Sequence, residues 1–202
     1  MPKNLWPLVL KGVVGFLIGL AVWSGLSIPY TGLLASLSQT AIRLDEQPSV
    51  TTITPRGTLM MVDRSDFPPS PSSVRLGVES TDITFNLILM LTLFAASSRT
   101  FSDRNVFGFA GALGALVLVH VVAVVSFVEA HYAASLGSWS AEHYGFVARH
   151  FWGSAPYFYS VVGAYGFAVA LWWLFRPSWE PNPKQPDHQA RRGLRASRRG
   201  RA

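Results

Sequence analysis

Apolar residues in this chain come in long blocks separated by polar segments. The longest block runs from Val106 to Ala134, and its first 23 residues hold no Asp, Glu, Lys or Arg. About 20 apolar residues of helix cross a bilayer core, so this block reads as a membrane span. His120 sits near its mid-depth, and Glu129, His131 and Tyr132 mark its end. Three more blocks read as spans: Leu5 to Ile28, Ile83 to Ser97 and Ala155 to Phe175. The second of these is short, at ~22 Å of helix. A basic start before an apolar run also describes a cleavable secretory signal, but the first run is long and no small-x-small site follows it directly.

The intervening segments have other periods. Tyr30, Leu33, Leu34, Leu37, Ala41 and Leu44 recur at helical spacing, which predicts an amphipathic helix after Pro29 or an extension of the first span past a kink there. Val50–Thr54 and Thr58–Val62 flank a turn signal at Pro55-Arg56-Gly57, and Val74–Glu79 alternates with period two. These three pieces predict a small β-meander that leans on the helices or on a partner. Ser80 or Thr81 suits a cap for the next span, with Asp82 in its first turn. Ser138–Trp152 predicts a short aromatic helix capped by Ser140, with Pro156 then opening the last span.

The expected fold class is therefore an α-helical integral membrane protein, with four transmembrane helices and a small β-rich extracytoplasmic loop. Residues 1–28 carry the first span, and 29–82 the amphipathic helix and meander. Residues 83–134 hold the second and third spans, 135–154 an aromatic outer loop, 155–176 the fourth span, and 177–202 a disordered basic tail.

Composition agrees with this layout. The chain is 50% hydrophobic and 14% charged. It has no cysteine, which excludes disulfides, thiolate metal sites and a cysteine nucleophile. With both termini inside, 12 of the 17 Lys and Arg residues lie on the cytoplasmic side, and 8 of the 11 acidic residues lie outside. That bias follows the positive-inside rule. The net charge of +6 comes from the tail. It suits anionic lipid head groups, and no nucleic-acid partner is expected.

Candidate functional residues are the polar groups that such a layout must accommodate: Asn86, His120, Glu129, His131 and Arg149. His120 reads as a proton relay, a ligand or a partner contact, or as a neutral ring bonded to Asn86, Ser126 or a backbone carbonyl. Glu129, His131, Glu142, His143, Arg149 and His150 gather near one interface, but their spacing matches no known zinc motif. No metal, cofactor or catalytic group is expected. The alternatives to a non-enzymatic role are a hydrolase or transferase using His120, Glu129 and His131, and a transporter subunit with Asn86 and His120 along a polar path.

One span, an outer loop of short strands, Thr84-Phe85-Asn86 at the start of a span, His120, Glu129-Ala130-His131-Tyr132 and Leu136-Gly137 together form a layout that resembles the exosortase H-associated membrane proteins. The resemblance covers about residues 5 to 175. It implies an accessory protein in a bacterial inner membrane. Its partners would be the lipid bilayer and an exosortase-like transpeptidase, in a protein-sorting system. The transpeptidase itself uses a cysteine, which this chain lacks.

Overall fold

The computed structural model describes residues 6–46, 48–66, 76–97 and 103–176. Its first element, α1 (Trp6–Asp45), is a single helix of 40 residues, about 60 Å long. The expected amphipathic helix is thus the continuation of the first apolar block rather than a separate element. Pro29 lies inside it and removes one backbone donor. Thr31 and Ser27 hydroxyls reach back to carbonyls around that point, Thr31 to Ser27 at 2.8 Å and Ser27 to Ser24 at 3.2 Å.

Three antiparallel strands follow, in the order β1 (Thr51–Arg56), β2 (Leu59–Arg64) and β3 (Leu76–Glu79). Arg56 pairs with Leu59, so the hairpin loop has two residues. Gly57, with φ +65°, takes the first position, where a left-handed backbone is needed. Ile53, Met60, Val62 and Val78 form the buried face and pack with Leu34, Ile42, Val124 and Val128 of the helices. The free edge of β1 is closed by side chains from the end of α1. Gln39 accepts from the Ile53 amide at 2.8 Å, Glu46 accepts from the Thr51 amide at 3.0 Å, and Pro55 has no amide hydrogen.

The next apolar block is broken at Phe85 into α2 (Ser80–Thr84) and α3 (Asn86–Ala95). Neither Ser80 nor Thr81 caps it. Glu79 occupies the N-cap position without a side-chain cap bond. Ser80 instead donates to the Thr58 carbonyl at 2.7 Å, and its hydroxyl lies 2.5 Å from that of Thr31, tying α1 to the hairpin. The long central helix α4 spans Asp103–Ala134. The aromatic segment is two helices, α5 (Ser138–His143) and α6 (Phe146–Phe158), rather than one. Ser140 lies within α5 and does not cap it; its hydroxyl donates to the Tyr132 carbonyl at 2.6 Å. A π-helical turn, Tyr159–Gly163, leads from α6 into α7 (Ala164–Phe175). Pro156 therefore lies near the end of α6 rather than opening a helix, and the helical run that carries the last apolar block starts at Phe146.

Among the described residues, three helical runs are long and apolar enough to cross a membrane: Trp6–Asp45, Asp103–Ala134 and Phe146–Phe175. Ser80–Ala95 is apolar but shorter. Small residues set the helix spacing. Gly15 and Gly19, a G-x-x-x-G pair, bring α1 against Thr92, Ala95 and Ile88 of α3. Gly108 and Gly111 admit the backbone and ring of Phe175 against α4. One apolar cluster joins the sheet to α1 and α4, and a second gathers Met90, Phe94, Ala112, Leu116 and Ala168.

Candidate functional site

His120 is fully buried in the middle of α4, between residues of the two apolar clusters. Both ring nitrogens are engaged. Nδ1 lies 2.7 Å from the Tyr30 hydroxyl of α1, and Nε2 lies 2.8 Å from Asn86 Oδ1 of α3. Asn86 Nδ2 donates to the Tyr159 hydroxyl at 3.4 Å, and Tyr159 donates to the Ile83 carbonyl at 2.7 Å.

Donor and acceptor roles can be followed from the Ile83 end of this series. The Ile83 carbonyl can only accept, so Tyr159 gives its one hydrogen there and must accept from the Asn86 amide. Asn86 Oδ1 is then left to accept from His120 Nε2–H. An unpaired charge is costly in a fully buried ring, so the ring is neutral and Nδ1 accepts from the Tyr30 hydroxyl. His120 is thereby a neutral Nε2–H tautomer. Five groups from α1, α2, α3, α4 and the π turn form a single directed series. The two backbone irregularities lie on it: the series ends on Ile83, two residues before the break at Phe85, and Tyr159 opens the π turn. Trp23 of α1 packs edge-on against Phe85 and donates to Thr84 Oγ1 at 3.2 Å, closing the other side of the break.

A second polar assembly lies at the sheet end. The Arg64 guanidinium contacts Glu46 at 3.1 Å and grips both oxygens of Asp66 at 3.0 and 2.9 Å. It also stacks on the rings of Tyr132 and Trp139, 4.9 and 4.8 Å from their centroids. Thr51 connects Glu46 to the Tyr132 hydroxyl, the latter at 2.9 Å. The hydrogen bonds from Arg64 hold the Asp66 carboxyl below its ordinary value. Glu129 accepts from the Tyr144 hydroxyl at 2.7 Å. Burial, and then this bond, push the Tyr144 phenol above its ordinary value.

Of the residues singled out from the sequence, Asn86 and His120 are brought into direct contact. Ser126, weighed as a partner for His120, bonds its own helix at the Val122 carbonyl. Glu129 belongs with Tyr144 at the sheet end. His131 is half-buried with its ring beside that of Tyr132, and among the described residues its ring makes no hydrogen bond to either network. Arg149 is exposed and lines a cleft with His150. His143 stacks on Trp139 with ring centroids 4.2 Å apart. No group of three or more His, Asp or Glu side chains could hold a metal ion among the described residues. Tyr30, Tyr159 and Arg64 were missed. A tyrosine inside an apolar run is a polar handle requiring a partner, and that signal was present at Tyr159.

Set against known proteins, the chain matches no family model, no curated sequence and no solved structure.

Proposed function

We propose that this chain is a non-enzymatic accessory protein of a bacterial inner membrane, working beside an exosortase-like transpeptidase in protein sorting. In this reading Ser80–Ala95 is a fourth, short span, both termini are cytoplasmic and the sheet lies outside. The observation that carries the non-enzymatic reading is the directed series through His120. Each polar side chain in it is committed to a neighbour on another helix, which suits holding a bundle together. His120 and Glu129 belong to separate networks, which speaks against their acting as an acid/base pair. The closed edge of β1 leaves β3 as the edge where an extended segment of a partner would add.

A mild-detergent pull-down of the tagged chain from its native membrane, with mass spectrometry, tests the partnership. Recovery of a cysteine-bearing membrane transpeptidase in near-equal amounts is expected. Recovery of the chain alone would remove the stable-complex reading. A His120→Phe chain should still recover the partner if it assembles. Loss of a measured activity with assembly intact would instead favour the hydrolase or transporter reading.

A further inference from the structure

At the sheet end of the bundle, a cleft of about 650 Å³ opens between the end of α4, the Gly137 turn and one side of α6 from Phe146 to Tyr157. Ala133, Ala134, Gly137, Gly153 and Ser154 make its small-residue lining, and Phe146 and Tyr157 its aromatic part. The charged side chain is Arg149, with the imidazole of His150 beside it, and none of the lining residues is acidic. Arg149 makes no ion pair among the described residues. His150 Nδ1 donates to the Phe146 carbonyl at 2.8 Å, so in the neutral ring Nε2 is an acceptor and Arg149 is the group that donates to an anion.

We propose that this cleft binds the head group of an anionic phospholipid. Its volume falls within the range of small-ligand sites. A guanidinium presents paired donors that match phosphate oxygens. The location selects lipid over other phosphates. The cleft lies at the connection between two helices long and apolar enough to cross a membrane, one ending at Ala134 and the other beginning at Phe146, and the ends of such helices meet the head-group layer. From its rim, the exposed side chains of Tyr157, Phe158 and Val161 continue down α6 and the π turn as an apolar track for acyl chains. The proposal is independent of the sorting role.

Native mass spectrometry of the full chain released from detergent tests it, with phosphatidylglycerol and phosphatidylcholine offered at equal concentration. One phosphatidylglycerol should be retained in preference. Arg149→Gln should lower its occupancy about fivefold, the effect of one basic group near a lipid surface. Gly153→Leu should lower it as well. No atom stands within 4 Å of a Cβ built at Gly153, so a larger side chain fills the cleft without displacing the fold. Arg56→Gln, at the exposed hairpin tip, should leave binding intact. Equal retention of both lipids, or unchanged binding in both cleft variants, would overturn the proposal. Displacement of the lipid by millimolar inorganic phosphate would also overturn it, marking a site for a free anion.

Discussion

Replacing His120 by Leu removes two interhelical hydrogen bonds at once, of 2.7 and 2.8 Å. Interhelical hydrogen bonds in membrane proteins contribute about 0.6 kcal/mol on average and up to about 1.7. The two bonds alone thus set a loss of about 1–3 kcal/mol. The Tyr30 hydroxyl and Asn86 Oδ1 are also left without partners in a dry interior, which adds about 1 kcal/mol or more. The volume of Leu is close to that of His, so a cavity contributes little. A loss of about 2–4 kcal/mol is expected for His120→Leu in reversible unfolding measured in bicelles. The sharper quantity is the coupling to Asn86. In a double-mutant cycle with Asn86→Leu, the second substitution finds its partner already gone. The pair should therefore fall short of additivity by about 0.6–1.7 kcal/mol. Additivity within about 0.3 kcal/mol would refute the directed series as a stabilising unit, whatever the single variants do.

Three further outcomes follow from the packing and the polar assembly at the sheet end. Gly111→Val should destabilise by about 1–3 kcal/mol, because even a Cβ there lies 2.8 Å from the Phe175 ring; Gly114→Ala, facing open space, should be neutral or stabilising in thermal melts. Arg64→Met should expose Trp139 to solvent, read as a red-shifted tryptophan emission, since the guanidinium covers that ring. Asp66 has a lowered folded-state value, so its contribution is present above its ordinary 3.8 and fades as pH falls through the folded value. Acid destabilisation below about pH 4 should accordingly be shallower in Asp66→Asn than in the parent, by a modest amount because Asp66 is partly exposed.

The meander was legible because alternation and turn residues are local signals. Val50–Thr54, Thr58–Val62 and Val74–Glu79 fall within two residues of the strands formed where the structure describes them. The expected strand start at Val74 and the loop before it lie outside the described residues, as do the basic tail and residues 98–102 of the polar turn expected over Ser98–Asn105; the rest of that turn, Asp103–Asn105, is instead the first turn of α4. The long spans were legible from hydropathy, which needs no partner. What the sequence concealed were effects of tertiary contact. Pro29 looked like a boundary, yet α1 runs through it, because one missing donor costs less than abandoning the packed face that continues beyond it. Phe85 looked like the inside of a span, yet the helix breaks there, with the Ile83 carbonyl just before the break accepting from Tyr159. Pairing of Asn86 with His120 could be guessed from scarcity, since polar side chains in apolar helices seek each other. Tyr30 and Tyr159 could not be placed without the helix rotations.

Those rotations also make α1 the link between the two polar assemblies. Tyr30 reaches the His120 series, and Glu46, just past its end, reaches Thr51 and Arg64. They stand 16 residues apart, about 24 Å along the helix. Leu34, Ala35, Ser38 and Ile42 are buried on the connecting face. The sheet is therefore held in phase with the bundle by helical geometry. One alanine inserted between Gly32 and Leu33 would turn everything beyond it by about 100°. That would swing the buried face away from the sheet and part Gln39 and Glu46 from the β1 amides. Four inserted alanines would leave only about 40° of residual rotation and a shift of one turn, which the same face can meet by sliding. Limited proteolysis of the 47–79 segment should thus be fast after the single insertion and slower after the fourfold one. If the single insertion leaves the segment as protected as in the parent chain, the sheet is held by its own contacts with α4, and α1 has no part in aligning it.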